Sequence, residues 1–126
     1  DAAEDPALCH DDLCFDEILL TDLQKDIDSA AGDLVVVLHP LGNHGPSYFL
    51  RYPKAFRKFT PTCDTPDLGA CTNAQIVNSY DNAVLYGDHF VAETIQLLNR
   101  QTARDSALIY VSDHGESLGE QGIYLH

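Results

Sequence analysis

The stretch from Ala74 to about Gln101 constrains the fold most. Ile76, Val77, Tyr80, Ala83, Val84, Phe90, Val91, Ile95 and Leu98 recur at helical spacing through it. At ~1.5 Å per residue such a helix runs ~40 Å. Continuous apolar runs flank it, Leu34-Val35-Val36-Val37-Leu38 before and Ala107-Leu108-Ile109-Tyr110-Val111 after. Runs this short and unbroken are expected of strands buried on both faces. Strand, crossover helix, strand is a βαβ unit, which predicts parallel strands that finish at the same sheet edge. That edge would receive the loop from His39 to His44 and the turn at Asp113-His114.

A shorter helix is predicted from Cys14 to Ala31, where Phe15, Ile18, Leu19, Leu23, Ile27 and Ala30 recur and Gly32 provides the stop. Residues 1–13 read as irregular. His39 to Thr62 carries four prolines and two glycines and reads as a long loop with one short helical turn. At 126 residues the chain is at most one domain or part of one, and 44% hydrophobic residues suffice for a core. No apolar run approaches the ~20 residues that span a bilayer. The chain starts at Asp1 and contains no Met, so it is expected to be part of a longer reading frame.

A net charge of −13 argues against nucleic acid as a partner. Eleven of the 20 acids fall in Asp1 to Asp33 against one base, Lys25, a solvated and self-repelling surface. Four of the seven bases gather instead at Arg51, Lys54, Arg57 and Lys58, a group suited to anionic lipid headgroups or simply to solvent. The four cysteines form two local pairs, Cys9 with Cys14 and Cys63 with Cys71. Neither has the spacing of a zinc knuckle. Each closes a short loop and suits a disulfide contributing roughly 2–3 kcal/mol. Bridges imply an oxidising compartment; free thiols or a metal are the alternatives.

Chemistry concentrates at Ser112-Asp113-His114-Gly115-Glu116-Ser117, just after the second apolar run. A carboxylate beside an imidazole suits zinc, and the turn that Gly115 permits lets both converge on one ion. The loop His39-Pro40-Leu41-Gly42-Asn43-His44-Gly45-Pro46 offers two more imidazoles at the same edge. His44 is the stronger candidate because Gly45 beside it lets the backbone approach a ligand closely. His126 gives a further candidate ligand. His10 and His89 read as structural or solvated. No phosphate-binding glycine loop or nucleophile elbow is present.

The chain resembles the phosphoethanolamine transferases that modify lipid A, a group that includes the mobile colistin-resistance enzymes and lies in the alkaline phosphatase and sulfatase superfamily. The resemblance runs from about Cys9 to His126. It is carried by Asn43-His44-Gly45-Pro46-Ser47-Tyr48-Phe49, Arg51-Tyr52-Pro53, Phe59-Thr60-Pro61, Tyr80-Asp81-Asn82-Ala83 and Tyr110-Val111-Ser112-Asp113-His114-Gly115-Glu116-Ser117-Leu118-Gly119-Glu120. It implies part of an alkaline-phosphatase-like α/β/α domain with a mainly parallel sheet. Asp113 and His114 would be two ligands of a tightly held zinc. His44 and His126 would bind a second zinc or the phosphoryl group and substrate, and Glu116 would support them. The cysteine pairs resemble the family's periplasmic disulfides.

The family's nucleophile is a threonine joined on the first zinc by an upstream glutamate, and neither motif occurs in residues 1–126. The family's transmembrane helices and carboxyl-terminal part are not matched either. The resemblance thus implies a partial catalytic domain at the periplasmic face of the bacterial inner membrane, inactive by itself. The parent would move phosphoethanolamine from phosphatidylethanolamine to lipid A through a phospho-threonine. Two alternatives stay open: a metal-dependent hydrolase of the same superfamily, and a non-catalytic acidic secreted module that binds calcium or a cationic partner.

Overall fold

A computed structural model describes residues 5–10 and 13–126. Helix α2, Asn73–Asn99, is the spine of the molecule, 27 residues long. Thr72 caps it: its hydroxyl accepts from the Gln75 amide while the Gln75 side chain accepts from the Thr72 amide. This capping box satisfies two amide donors that a helix start otherwise leaves open. The buried stripe is Ile76, Ser79, Asn82, Ala83, Tyr86, Phe90, Thr94 and Leu97, a 3–4 spacing with one face turned inward. Its polar members are all bonded. Ser79 accepts from the Cys63 amide, Thr94 donates to the Phe90 carbonyl, and Asn82 bonds both the Phe59 amide and carbonyl.

Three apolar clusters sit along α2. Leu97 meets Leu23 and Ile27 of helix α1, Leu23–Ser29. Ala83 and Tyr86 meet Tyr52, with Phe15 and Phe56 against them. Ile76 meets Tyr48 and Cys63, with Leu118 and Leu125 at the margin. The loop from residue 39 to 62 thus lies across α2 and carries two short 3-10 turns, Tyr48–Leu50 and Lys54–Phe56, where one had been expected.

The helix expected from Cys14 to Ala31 is divided. Cys14 belongs to a two-residue antiparallel ladder, β1 (Cys9–His10) with β2 (Leu13–Cys14). A 3-10 turn follows at Asp16–Leu20, and α1 starts only after Thr21-Asp22. Phe15 is extended, so no helix runs through it, and the following turn keeps the tighter 3-10 bonding, with the Ile18 amide donating to the Phe15 carbonyl and the Thr21 amide to the Ile18 carbonyl. The reading of residues 1–13 as irregular falls partly outside the described residues, and within them the β1–β2 ladder corrects it at Cys9, His10 and Leu13. Both disulfides are formed, Cys9–Cys14 and Cys63–Cys71.

The expected parallel pairing is not formed. Among the described residues the other ladder is β3 (Ser117–Leu118) against β4 (Tyr124–Leu125), also antiparallel. The runs Leu34–Leu38 and Ala107–Val111 make no ladder, and Val35 stands 89% exposed and Ile109 85%. A parallel strand satisfies its amides and carbonyls only against a neighbouring strand, and these two runs do not bond each other. They line a cavity of about 1180 Å³, together with Val84, Val91 and Leu98 from a second apolar face of α2. No helix of the described residues is long and apolar enough to cross a membrane.

Candidate metal and phosphoryl site

Three histidines far apart in sequence converge on one another, two of them, His44 and His114, lining that cavity. One ring nitrogen from each of His44, His114 and His126 lies within 4.8 Å of the others. His44 arrives on a turn closed by its amide donating to the Leu41 carbonyl at 3.3 Å, with Gly42 in the left-handed region at φ 58°. His114 follows the second apolar run directly. His126 is returned by the β3–β4 hairpin, whose register sets Ser117 opposite Leu125 and so brings residue 126 back beside Glu116. Gly119 and Gly122, both at positive φ, turn that hairpin. Asn73, the first residue of α2, ties it down by donating to the Leu118 carbonyl.

Glu116 is the hub. Its side chain is 4% exposed, yet it stands 4.0 Å from His44 Nδ1 and 3.9 Å from His126 Nδ1. Oε1 accepts from the Gly45 amide at 2.8 Å, and Oε2 accepts from the Tyr48 hydroxyl at 3.1 Å. Burial, and then the Glu116 charge, push the Tyr48 phenol well above its ordinary range, so Tyr48 stays a donor. Tyr80, edge-on to Tyr48, is raised by burial and by the same carboxylate.

The donor set fits zinc. His44 Nδ1 and His114 Nδ1 each sit 2.8 Å from the carbonyl of the following glycine. A carbonyl only accepts, so each proton rests on Nδ1 and the Nε2 lone pair is free for a metal. Ligands on a tetrahedral zinc stand about 3.4 Å apart. Asp113 Oδ2 lies 3.8 Å from His114 Nε2. Its carboxyl is held below the usual range first by its own amide and further by the His114 amide.

The sequence had divided these residues into Asp113 with His114 and His44 with His126. The structure brings the three imidazoles together, with Asp113, 77% exposed, beside His114, so the two pairs meet in one place. His39 lines the same cavity. His89 lies elsewhere, against Glu17 and Phe56, and His10 packs edge-on to Phe15. Sequence reasoning missed Tyr48 as the donor to Glu116 and Asp16 as the acceptor of the Leu41 and Gly42 amides. It also missed that Arg51 Nε donates to the His44 carbonyl at 2.8 Å. Arg57 is bonded to Thr62 and Asp64. Of the four clustered bases, only Lys54 and Lys58 are left as exposed side chains without a bonded partner among the described residues.

The chain matches the sulfatase family over residues 1–126, and it belongs to that family. Among characterised relatives, phosphoethanolamine transferase EptA of Salmonella typhimurium is 52% identical over 122 residues, 96% of this chain and 22% of that protein. Phosphatidylethanolamine transferase Mcr-1 of Escherichia coli is 47% identical over 115 residues, 90% of this chain and 21% of that protein. The crystal structure of the soluble domain of lipooligosaccharide phosphoethanolamine transferase A from Neisseria meningitidis superposes with a TM-score of 0.90. It shares 50% identity and is covered over 96% of this chain and 36% of its own. The chain therefore spans about a fifth of the curated relatives it matches. An α/β domain of this family is the fold class, in keeping with the sequence reading.

Proposed function

We propose that residues 1–126 are part of the periplasmic catalytic domain of a zinc-dependent enzyme that transfers phosphoethanolamine from phosphatidylethanolamine to lipid A, at the inner membrane. The observation that carries this reading is the convergence of His44, His114 and His126 around buried Glu116. The names of the relatives supply the group transferred, and the disulfides fit a periplasmic setting.

Asp113 and His114 would hold a tightly bound zinc, and His44 and His126 a second zinc or the phosphoryl group. Zinc supplies a lowered pKa for a bound hydroxyl and neutralises phosphoryl charge. The chain's own residues provide the orientation. His44 keeps its proton on Nδ1 against the Gly45 carbonyl and presents Nε2. Glu116 fixes Gly45 and Tyr48, and so the distance from His44 to His126. The nucleophile, by this reading a threonine, comes from another segment of the whole protein, and the chain alone is inactive. Leu34–Leu38 and Ala107–Val111 would be strands of a mainly parallel sheet that other segments complete, consistent with their exposed residues and missing ladders.

Mass spectrometry of lipid A from cells producing the whole protein tests the proposal. Lipid A carrying added phosphoethanolamine, abolished by His126→Ala and by zinc chelation, is the expected result. Unmodified lipid A with released phosphate or sulfate would point to hydrolysis instead and overturn it.

A further inference from the structure

The proposed site leaves one buried carboxylate unexplained. Asp16 is 9% exposed, although it belongs to the acid-rich amino-terminal third where charge is otherwise shed to solvent. A carboxylate is costly to bury unless its oxygens are bonded. Both of its oxygens are. Oδ1 accepts from the Leu41 amide and Oδ2 from the Gly42 amide, each at 2.9 Å. Two consecutive amides converging on one anion, with Gly42 at φ 58°, form an anion nest. Here the protein's own side chain fills it.

This nest is the first half of the turn whose last residue is His44. Arg51 holds the His44 carbonyl and Glu116 the Gly45 amide. The backbone before, at and after His44 is therefore gripped by three charged side chains from three segments. Burial disfavours the Arg51 charge and Asp16 opposes that effect, so the two grips support one another. Asp16 is itself anchored. Its neighbour Glu17 accepts from the Tyr86 hydroxyl at 2.9 Å and lies 3.3 Å from His89 Nε2, both on α2.

We infer that Asp16 is a positioning residue for the site: its carboxylate fixes the Leu41–His44 turn and so the direction in which the His44 imidazole points. The inference rests on the reading of His44 as a site residue. Its test uses the whole protein, metal-free, carrying Asp16→Asn, with diethyl pyrocarbonate labelling of each histidine followed by mass spectrometry. Asparagine keeps the size but sets an NH2 against one of the two amides. We expect the His44 labelling rate to change several-fold, His89 to stay unchanged, and Asp16→Glu to restore His44 in part.

His44 unchanged, or His44 and His89 changing together, overturns the inference, the second outcome assigning Asp16 to the fold at large. Should Asp16→Asn not accumulate folded, Gly42→Ala distorts the same nest with nothing within 4 Å of the new methyl, and the same two outcomes decide. Transfer activity is a separate readout. A loss of about 10–100-fold, mainly in kcat, is expected of a misplaced group. A His44-specific labelling change with full activity would keep the clamp and overturn the functional reading of His44.

Discussion

Gly45 stands where the site's packing leaves no room, and Gly45→Ala is the sharpest test of how the site is built. A Cβ there would lie 2.5 Å from Leu125 Cδ2, 2.7 Å from the Tyr48 hydroxyl oxygen and 2.8 Å from Tyr48 Cζ. Carbon atoms rest at about 3.5–4.0 Å, so each neighbour must yield by close to an ångström. The Leu125 methyl is the end of a flexible, half-buried side chain and can rotate away. Tyr48 cannot. It is 1% exposed, packed edge-on against Tyr80, and held by its hydroxyl to Glu116.

Overpacking a core costs about 1–3 kcal/mol, and a hydrogen bond to a charged group contributes about 1.5–3 kcal/mol. Displacing the ring relieves the first term at the expense of the second, so the net loss is about 3 kcal/mol rather than their sum. Urea unfolding of the soluble domain containing this chain measures it. Adding Leu125→Ala removes the shortest contact but leaves Tyr48, and a double-mutant cycle should return about 1 kcal/mol of coupling. A Gly45→Ala loss under about 0.5 kcal/mol, the range of an ordinary surface change, would refute the argument. Full recovery in the double variant would refute the part assigned to Tyr48.

Asn82 is fully buried and pairs the Lys58 and Phe59 amides and the Phe59 carbonyl. Asn82→Leu strands three backbone groups at about 1–3 kcal/mol each, so the urea midpoint should fall steeply, and a loss under about 1 kcal/mol would contradict this accounting. Glu116→Gln keeps the size but sets a donor against the Gly45 amide or the Tyr48 hydroxyl. Zinc affinity, measured by chelator competition, should weaken about tenfold; unchanged affinity would remove Glu116 from the support of the histidines. Burial holds the Tyr48 and Tyr86 phenols above the ordinary value of 10.0. Their folded pKa is raised, so their contribution is intact below pH 10 and declines as unfolded phenols ionise above it. Each should cost about 1 kcal/mol between pH 10 and 11, and Tyr86→Phe should remove about that much of the loss over the range, leaving the share of Tyr48 and Tyr80; an unchanged slope would refute the assignment to Tyr86.

What the sequence made legible follows from what leaves a local trace. Helix α2 was readable because its apolar residues repeat over seven turns, and its ends fell within two residues of the expected ones. His44 and His114 were readable because each stands in a distinctive motif, whereas His126 was a bare candidate until the family resemblance singled it out. Asp16 left no such trace. It is one of eleven acids in the first 33 residues, and its partners are backbone amides 25 and 26 positions later, which have no sequence signature. The division of the first helix was hidden for a related reason, since 3-10 and α turns both repeat apolar residues at three- or four-residue spacing. The two apolar runs were visible, but a ladder belongs to a pair of strands and cannot be read from either one.

Helix α2 also shows why the strongest apolar pattern does not identify the inward face. Val84 and Ile95 belong to the predicted stripe and are exposed, whereas Ser79, Asn82 and Thr94 are buried. The reason lies in the segment packed beneath the helix. Residues 58–63 form an irregular loop whose amides and carbonyls have no ladder of their own, and buried backbone groups must be paired. Ser79 takes the Cys63 amide, Asn82 takes the Lys58 and Phe59 groups, and Asn78 donates to the Pro61 carbonyl. The helix thus turns polar side chains inward to serve a loop and keeps Val84, Val91 and Leu98 for the cavity. One of those inward contacts reaches the site: Ser79 holds Cys63, Cys63 packs against Tyr48, and the Tyr48 hydroxyl donates to Glu116, so a polar residue that hydrophobic periodicity counts as solvent-facing helps to support the carboxylate between the histidines.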